Sequence, residues 1–488
     1  MPGRNRPRTA AFSACACALA AALWTGGAMS AQSDHPRVDA VFHNGIIYTM
    51  DDARPRAGAV AVCAGRILAV GDTKEILALA GAGAERYDLG GRCVIPGLVD
   101  AHTHFSGYAL SLASLDLAGT ASLDEVVGLV AERAAAAREG EWVTGRGWDQ
   151  NDWDRPSFPH RRDIDRACAG HPALLVRVCG HAALAGSAAL EAAGIGRDTP
   201  DPPGGRIVRD ADGEATGLLL DEAIELVRRL VPETSQAQRR MLFAKAARNC
   251  LAAGLTGVHE MGIGSRTAAL YEELCGTQEL PLRVTAYWSG EEGDLDSLLA
   301  AGPSIDPGGW FSIVGVKLFM DGSLGARSAA LLEDYADDPG NRGILVADPG
   351  ALRERVLACH RSGFQVAIHA IGDRANRIVL DIYGGLPGAG PAADRRHRIE
   401  HAQILDRRDI GRFAELGVIP SMQFTHCTSD MPWAGDRLGP ERLAGAYAWR
   451  SLLETGCRIP GGSDFPVESI DPMLGIWAAV TRSRVDGT

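Results

Sequence analysis

This sequence of 488 residues lacks cysteine pairs at the spacing of a thiolate metal site. None of its 11 cysteines stands in a C-x-x-C arrangement, and nine of them are scattered singly between Cys63 and Cys457. A thiolate zinc site and a dense disulfide scaffold are therefore excluded. The sequence permits one or two disulfides without specifying their pairing.

The chain also lacks an excess of positive charge and, beyond its first residues, any long apolar run. Its formal net charge is -12, so a nucleic-acid-binding surface is not expected. No segment after residue 31 is long and apolar enough to cross a bilayer. We therefore expect no nucleic-acid partner and no membrane association beyond the N-terminal segment. The sequence leaves the oligomeric state open, a homo-oligomer included.

Residues 1–31 have the composition of a secretory signal peptide. Arg4, Arg6 and Arg8 precede the run AAFSACACALAAALW, and small residues follow up to AMSA. A basic start, a short apolar stretch and a small-residue cleavage zone are typical of exported proteins. The prediction is an exported protein, periplasmic or secreted, with an uncleaved N-terminal anchor as the alternative.

The remaining sequence changes its pattern near residue 97. In residues 36–96, short apolar runs alternate with turn dipeptides such as Asn44-Gly45 and Ala64-Gly65, which predicts a small β domain. From residue 97 to residue 488, apolar strand-like runs alternate with amphipathic helical stretches. That alternation is typical of a parallel α/β domain.

Eight apolar runs in the second region are candidates for buried parallel strands. They are GLVDAHTH, LTGVHEM, LRVTAYW, FSIVGVKLFMDG, FQVAIHAIGD, HRIEHAQIL, GVIPSMQF and CRIPGGSDF. Eight such strands with intervening helices predict a (β/α)₈ TIM barrel, whose active site lies at the carboxyl ends of the strands. Residues 105–254, between the first two runs, are too long for one helix. We expect an inserted substructure there that forms a lid or a substrate wall.

The first run ends in a His-x-His pair. Because alternate side chains of a strand point to the same face, His102 and His104 project together while Thr103 points away. A lone histidine is more often a hydrogen-bonded core residue than a ligand. Two imidazoles at this spacing make a metal site as plausible as ordinary packing.

Four further polar residues stand late in separate strand-like runs. Lys317, His369, His401 and Asp464 stand in the fourth, fifth, sixth and eighth runs. Each has an ordinary alternative role, such as an ion pair, a core hydrogen bond or a helix cap. Together they predict one polar site at the catalytic end of the barrel, because the carboxyl ends of all eight strands meet there.

This order of residues resembles the amidohydrolase superfamily, and several strings resemble its family 3, the group that includes N-substituted formamide deformylase-like proteins. The resemblance runs from about Val41 to the end of the chain. The matching strings are VIPGLVDAHTHF, GWDQNDW, GHAALAGSAAL, KLFMDGSLGARSAAL, HAIGDRAN, RIEHAQIL and GSDFPVESIDP. The resemblance implies a hydrolase with a distorted (β/α)₈ barrel, a small N-terminal β-sandwich and one or two divalent metals per chain.

The same resemblance implies a role for each residue of the predicted site. His102 and His104 would bind a buried metal, and His369 and His401 a more exposed one. Asp464 would bind a metal and act as general base. Lys317 would be either an N6-carboxylysine that bridges two metals or an unmodified lysine beside a single metal. Neutral imidazoles and carboxylates suit Zn²⁺ and related divalent ions.

Other residues are weaker candidates for contact with the substrate. The weak substrate-binding candidates are Trp148, His181, Ser323 and Arg327. His259, at the end of the second strand, and His426, after the seventh, lie where they could line the pocket. For Trp148, core packing is the more common role of such a side chain.

Relatives continue beyond the last barrel strand with segments that return to the β-sandwich. The sequence stops at Thr488, so the expectation is a small domain at 36–96 whose C-terminal part is missing. A truncated barrel without catalytic activity is therefore one alternative reading of the chain.

The leading functional prediction is an amidohydrolase that acts on carbon–nitrogen but not peptide bonds of a small-molecule, amide-like substrate. An activated water would attack the carbonyl, with Asp464 as the base that transfers its proton to the leaving amine. Because the same chemistry cleaves esters and phosphoesters, a metallo-esterase or phosphotriesterase-like hydrolase is the alternative enzyme.

Overall fold

The computed structural model describes residues 37–150, 153–155, 157–177, 182–203, 205–291, 293–390 and 394–487. The predicted signal peptide lies outside these residues and stays a prediction. The chain divides into two compact units, one ending at Pro96 and one beginning at Gly97. Among the described helices, none combines the length and the apolar character that a membrane span requires.

Between residues 37 and 96, the described part of the first unit, there are two small sheets and one helix. The larger sheet has the order β5-β4-β1-β6 and the smaller one β3-β2-β7. Ala64 and Gly65 both have positive φ and form the predicted turn between β4 and β5, which pair antiparallel. The elements are β1 (Ala40–His43), β2 (Ile46–Tyr48), β3 (Arg56–Ala57), β4 (Ala59–Cys63), β5 (Arg66–Gly71), α1 (Thr73–Leu79), β6 (Glu85–Asp88) and β7 (Cys93–Val94).

The second unit is built on an eight-stranded parallel sheet, which confirms the predicted (β/α)₈ barrel. Each neighbouring pair of strands is parallel, and each of the eight apolar runs supplies one strand. The strands are β8 (Leu98–Thr103), β15 (Leu255–Ile263), β16 (Arg283–Ser289), β17 (Phe311–Phe319), β18 (Gln365–Ala370), β19 (Arg398–His401), β20 (Ile419–Gln423) and β21 (Gly461–Gly462).

Backbone hydrogen bonds between the first and last strands close the barrel. The His104 N–H donates to the Phe465 carbonyl, and the Asp464 N–H donates to the His102 carbonyl, each at 2.8 Å. We call this junction of β8 and β21 the seam. Three of the predicted ligands, His102, His104 and Asp464, therefore belong to the seam through their own backbones.

Helices flank the barrel strands, and sequence signals explain where several of them begin. Asp348 accepts from the Ala351 N–H at the start of α10, with Pro349 in the first turn, and Ser235 and Gln238 form a capping box before α7. The helices are α2 (Phe105–Ser111), α7 (Gln236–Ala252), α8 (Ser265–Gly276), α9 (Leu295–Ala301), α10 (Pro349–Arg361), α11 (Asp373–Gly384), α12 (Ile410–Leu416), α13 (Phe424–Arg442), α14 (Trp449–Glu454) and α15 (Pro472–Thr481).

An inserted sheet of six strands lies between β8 and β15 in the chain. Its order is β13-β14-β12-β11-β10-β9, and β13 and β14 pair antiparallel on either side of a turn. The elements are β9 (Leu115–Asp116), α3 (Leu123–Ala136), β10 (Val143–Trp148), α4 (Arg161–Asp165), β11 (Ala173–Arg177), β12 (Ala182–Ala185), α5 (Ser187–Ala192), β13 (Gly205–Arg209), β14 (Ala215–Asp221) and α6 (Glu225–Arg228).

The inserted sheet covers less of the chain than the predicted range 105–254. Helices α2 and α7 lie inside that range, but they pack on the barrel, because Phe105 and Phe243 belong to the same hydrophobic core as the barrel strands. Their rings contact each other edge to face with centroids 5.7 Å apart. The insertion proper therefore begins after α2 and ends before α7.

Candidate metal centre and active site

The two histidines at the end of β8 meet Asp464 at the seam. The His102 Nε2 atom lies 3.5 Å from the Asp464 Oδ1 atom, and the His104 Nε2 atom lies 3.2 Å from the same oxygen. His102 is fully buried, whereas the side chain of His104 is 37% exposed. The strand alternation that predicts a shared face for the two histidines therefore places them around one carboxylate.

His102 is fixed from behind by Glu400. Its Nδ1 atom is 2.5 Å from the Glu400 Oε2 atom, so the ring donates there and directs Nε2 towards Asp464. Burial, with a contribution from Lys317, lowers the pKa of His102 to about 4. The ring is therefore neutral at physiological pH, which is the state in which an imidazole binds metal.

The histidines of β18 and β19 lie beside this pair. The His401 ring centroid is 5.0 Å from that of His102 and 4.5 Å from that of His369. The His401 Nδ1 atom is 2.7 Å from the Gln423 Oε1 atom, which fixes the ring. Burial lowers the pKa of His369 to about 3 and that of His401 well below its ordinary value. Four histidines from three strands thus converge on one region.

Lys317 on β17 completes the predicted set. Its Nζ atom is 3.5 Å from the His102 Nε2 atom and 4.7 Å from the centroid of the Phe319 ring. The side chain is almost completely buried, and burial lowers the pKa of its amine. A larger uncharged fraction of the amine is the chemical condition for reaction with an electrophile such as carbon dioxide.

Asp464 has the properties of a metal ligand that lacks its partner. Its Oδ1 atom is buried and makes no well-aligned hydrogen bond with the described residues, with the His104 Nε2 atom 3.2 Å away. Burial alone would raise the pKa of Asp464, but His102 and His104 hold it well below its ordinary value. The backbone φ of 63° at Asp464 is uncommon for a non-glycine residue, as strained conformations at functional positions often are.

The donor set fits a divalent metal. One ligand atom each from His102, His401 and Asp464 lies within 4.8 Å of the others, and all three residues are buried. The resemblance assigns His102 and His401 to different metals, and the structure brings both within reach of one ion at Asp464. Imidazole nitrogens with one carboxylate oxygen are ligands typical of catalytic zinc sites.

A cavity of about 590 Å³ opens above these residues. Five of the six predicted ligands line it, and His102 lies beneath them. The other lining residues include aromatic, apolar and acidic side chains that the predicted site does not contain. The lining residues are His104, Lys317, Phe319, Ser323, Leu324, Gly325, His369, Ile371, His401, Gln403, His426, Ser429, Asp430, Trp433, Asp464, Val467 and Glu468.

The weaker sequence candidates fall in different places. Ser323 lines the cavity. Trp148 is buried in the core of the inserted sheet, where its Nε1–H donates to the Leu175 carbonyl at 2.8 Å. Arg327 is not among the lining residues and is paired with Asp337 at 2.9 Å. His181 lies outside the described residues.

Of the two histidines suggested as pocket residues by their positions, one lines the cavity and the other does not. His426 lines the cavity, but it lies in the first turn of helix α13 rather than in a loop. His259 is not among the lining residues, because its Nδ1 atom is 2.9 Å from the Arg398 Nη1 atom inside the barrel.

Sequence reasoning missed the buried ion pair beneath the site. The Arg398 guanidinium donates to both oxygens of Glu400, at 2.6 and 2.8 Å, and also to the Ala101 carbonyl and the Ser421 hydroxyl. Arg398 and Glu400 are two residues apart on β19 and therefore share a face. Two opposite charges on one face of a buried strand are the sequence signal that could have revealed this pair.

Comparison with known proteins agrees with this geometry. A family model described as "Amidohydrolase family" matches residues 85–488. The chain is 37% identical over 453 residues to the putative amidohydrolase YtcJ of Bacillus subtilis (strain 168), covering 91% of this chain and 84% of the relative. It is 29% identical over 464 residues to the N-substituted formamide deformylase of Arthrobacter pascens, covering 92% and 84%.

A solved structure extends the similarity to the fold. An uncharacterized metal-dependent hydrolase from Pyrococcus furiosus is 32% identical and matches with a TM-score of 0.75, covering 91% of this chain and 88% of that protein. Over most of its length, then, the chain shares both sequence and architecture with these proteins, and it belongs to the amidohydrolase family.

Proposed function

We propose that this protein is a metal-dependent hydrolase that cleaves a non-peptide carbon–nitrogen bond in a small-molecule amide. The observation that carries the proposal is the Asp464 carboxylate, which is ionised, has a buried oxygen without a hydrogen-bond partner among the described residues, and lies between His102 and His104. A carboxylate in this setting can bind a metal and accept a proton.

The residues of the site have two proposed roles, metal binding and proton transfer. His102, His104, His369, His401 and Asp464 would hold one or two divalent ions, for which Zn²⁺ is the best match to the donors. When bound, such an ion lowers the pKa of water and polarises a carbonyl group. The Asp464 carboxylate accepts the proton of the attacking water and releases it to the nitrogen of the departing amine.

The partners of the histidines prepare this arrangement. Glu400 and Gln423 occupy the Nδ1 atoms of His102 and His401, so the Nε2 atoms are left for ligand binding. The low pKa values of His102 and His369 keep both rings neutral. The cavity above them has the volume of a small-molecule site.

Lys317 decides between one metal and two in this proposal. We propose that its amine adds carbon dioxide, forming a carbamate and releasing a proton, so that a cation becomes an oxygen ligand. The burial of the side chain and its contact with His102 support this modification. We expect about two zinc ions per chain with bicarbonate present and about one in Lys317→Met, measured by elemental analysis. Equal metal content in both proteins would contradict the modification.

The function itself is tested with matched substrates. Zinc-loaded full-length protein is assayed on N-substituted formamides and acetamides and on the corresponding esters and phosphotriesters. We expect amide hydrolysis, and we expect Asp464→Asn to lower kcat/KM by about 10²–10⁴-fold because the general base is lost. Turnover of esters or phosphotriesters alone would overturn the assignment of the bond class. Unchanged turnover in Asp464→Asn would overturn the role of the base.

Export remains part of the proposal. The basic start and apolar stretch of residues 1–31 support a signal peptide. Fractionation of cells that express the full-length chain, followed by N-terminal sequencing, would detect a processed protein outside the cytoplasm. An unprocessed chain in the cytoplasm would contradict this part.

A further inference from the structure

The side chain of His426 faces the reacting centre but has no role in the mechanism above. It lies in the first turn of α13, directly after β20, and lines the cavity. Its ring stacks against that of His401, with centroids 5.9 Å apart and planes inclined by 17°. The fold therefore places a fifth imidazole beside the four predicted histidine ligands.

The Nε2 atom of His426 is buried without a hydrogen-bond partner. Among the described residues that line the cavity, it shares this condition with Asp464 Oδ1. The nearest carboxylate oxygen is Asp464 Oδ2 at 3.9 Å, which is too far for a hydrogen bond. Buried polar atoms in folded proteins are almost always paired, so an unpaired one facing a cavity indicates a missing partner.

Asp464 Oδ1 and His426 Nε2 are suited to different partners. Asp464 Oδ1 belongs to the group of ligand atoms that fits a metal, and that group does not include His426. His426 Nε2 lies on the other side of the same carboxylate, towards Oδ2. At 3.9 Å, the nitrogen and the carboxylate of the base are close enough to contact one functional group of a bound substrate.

We infer that His426 is a catalytic residue whose ring donates an Nε2–H hydrogen bond to the oxygen of the scissile carbonyl. This inference rests on the proposed function, since it names the group that receives the charge developing on that oxygen. A donor already fixed in place stabilises such charge more strongly in the transition state than in the ground state. His426 therefore acts on kcat more than on KM.

Three variants test the inference. We expect His426→Leu to lower kcat by about 10²–10³-fold, as loss of one oxyanion donor does, with KM changing by less than about threefold. His426→Gln retains a donor and should recover part of this loss. Met431→Leu, at an exposed position of the same helix that does not line the cavity, is the matched control and should leave kcat unchanged.

A substrate pair shows whether the contact is with the carbonyl oxygen. Because sulfur accepts hydrogen bonds weakly, the loss caused by His426→Leu should be much smaller for a thioformamide than for its formamide. An equal loss for both substrates would overturn the inference. A parallel loss of zinc from His426→Leu would also overturn it, because the residue would then be a metal ligand.

Binding of methylphosphonate, a tetrahedral oxyanion, separates this inference from the proposed function. Calorimetry on zinc-loaded protein should show at least about tenfold weaker binding in His426→Leu, whether or not an amide is turned over. Weakened binding without amide turnover would support His426 as the oxyanion donor and reject the amide assignment. Unchanged binding together with amide turnover would reject His426 as the oxyanion donor and support the amide assignment. If His426→Leu does not fold, His426→Asn, whose shorter side chain withdraws the donor, replaces it in each measurement with the same expected losses.

Discussion

At the scale of single residues, Arg398 and Glu400 join the site to the rest of the barrel interior. The guanidinium contacts groups from five strands, including the His259 ring on β15 and the Tyr287 hydroxyl on β16. Arg398 holds the pKa of Glu400 well below its ordinary value although burial opposes ionisation. A buried charge pair of this kind depends on both partners.

Removal of the Arg398 guanidinium should destabilise the folded protein. In Arg398→Met, the Glu400 carboxylate remains buried without its counter-ion, so we expect the free energy of unfolding to fall by about 3–5 kcal/mol. Urea denaturation of the metal-free protein measures this change. The double variant Arg398→Met/Glu400→Gln should regain a large part of the loss because no buried charge remains. A double variant as unstable as Arg398→Met would contradict this account.

His259 should make stability depend on pH. Burial and the neighbouring Arg398 lower the pKa of His259 to about 4, so the folded protein resists a proton that the unfolded chain accepts. The stability contributed by the neutral ring is present above pH 6.5 and is lost as the pH falls through about 4. Wild type should therefore lose about 2 kcal/mol more than His259→Gln between pH 7 and pH 5.

Urea midpoints of the two metal-free proteins at pH 8, 7 and 5 measure this difference. Between pH 8 and pH 7 the gap between wild type and His259→Gln should stay constant, which is the internal control. The same gap at pH 5 as at pH 7 would show that His259 does not carry the dependence.

That the proposed metal ligands lie together could be predicted, whereas the residues that fix their orientation could not. His102, His104, His369, His401 and Asp464 each end a recognisable apolar run. Glu400 reaches His102 from 298 residues away, and its orientation depends on how β19 and β8 approach inside the closed barrel. Local spacing contains no information about that approach.

At the scale of elements, the seam depends on a residue without a side chain. A Cβ atom on Gly462 of β21 would lie 2.6 Å from the His102 backbone nitrogen and 2.7 Å from the His102 Cβ atom. Both distances are shorter than carbon contacts in proteins allow. The close approach of β21 to β8 therefore requires glycine at this position.

Gly462→Ala should disturb both the seam and the metal site. We expect unfolding to become easier by about 1–3 kcal/mol, as overpacking of a close contact does, and zinc to bind more weakly because His102 must move. Gly411→Ala in helix α12 is the matched control, since the nearest atom to its added carbon would be 3.8 Å away. That change should leave zinc binding intact and raise the free energy of unfolding by up to about 1 kcal/mol. Normal zinc affinity in Gly462→Ala would contradict the argument.

Most strands and several helices could be predicted from the sequence because their signals are local. The amphipathic stretches PGALRERVLACHRSG, ANRIVLDIY and DRRDIGRFAELG, for example, overlap α10, α11 and α12. The limits of the insertion could not be predicted, because α2 and α7 bury apolar faces that look alike whether they pack on the barrel or on the inserted sheet. Only tertiary contact distinguishes the two.

At the scale of the whole molecule, the proposed metal should contribute to stability as well as chemistry. A ligand that binds the folded state alone stabilises it by about 2.7 kcal/mol at a free concentration of 100 times its Kd. We expect removal of metal with a chelator to lower the unfolding temperature, and added zinc to restore it. Scanning calorimetry measures both changes. The variant His102→Gln should show a much smaller response, and an equal response would place the stabilising metal elsewhere.

The fold class could be predicted because eight buried runs alternate with helices, which few architectures accommodate. Closure of the barrel could not be read from the runs themselves. The last strand, β21, has only two residues, both glycine, and is joined to β8 through the residues that follow it. Its pairing with β8 can be recognised only from the three-dimensional arrangement of the other seven strands.

The seam joins residues that the ribosome synthesises at widely separated times. The Ser463 N–H donates to the Asp100 carboxylate across the seam, and these two residues are 363 positions apart. At roughly 5–20 residues per second, a ribosome needs about 20–70 s to travel between them. During that interval the histidine pair exists without its carboxylate, so an emerging chain cannot assemble the ion site. Binding of the proposed ion at this site would therefore follow synthesis of the last barrel strand.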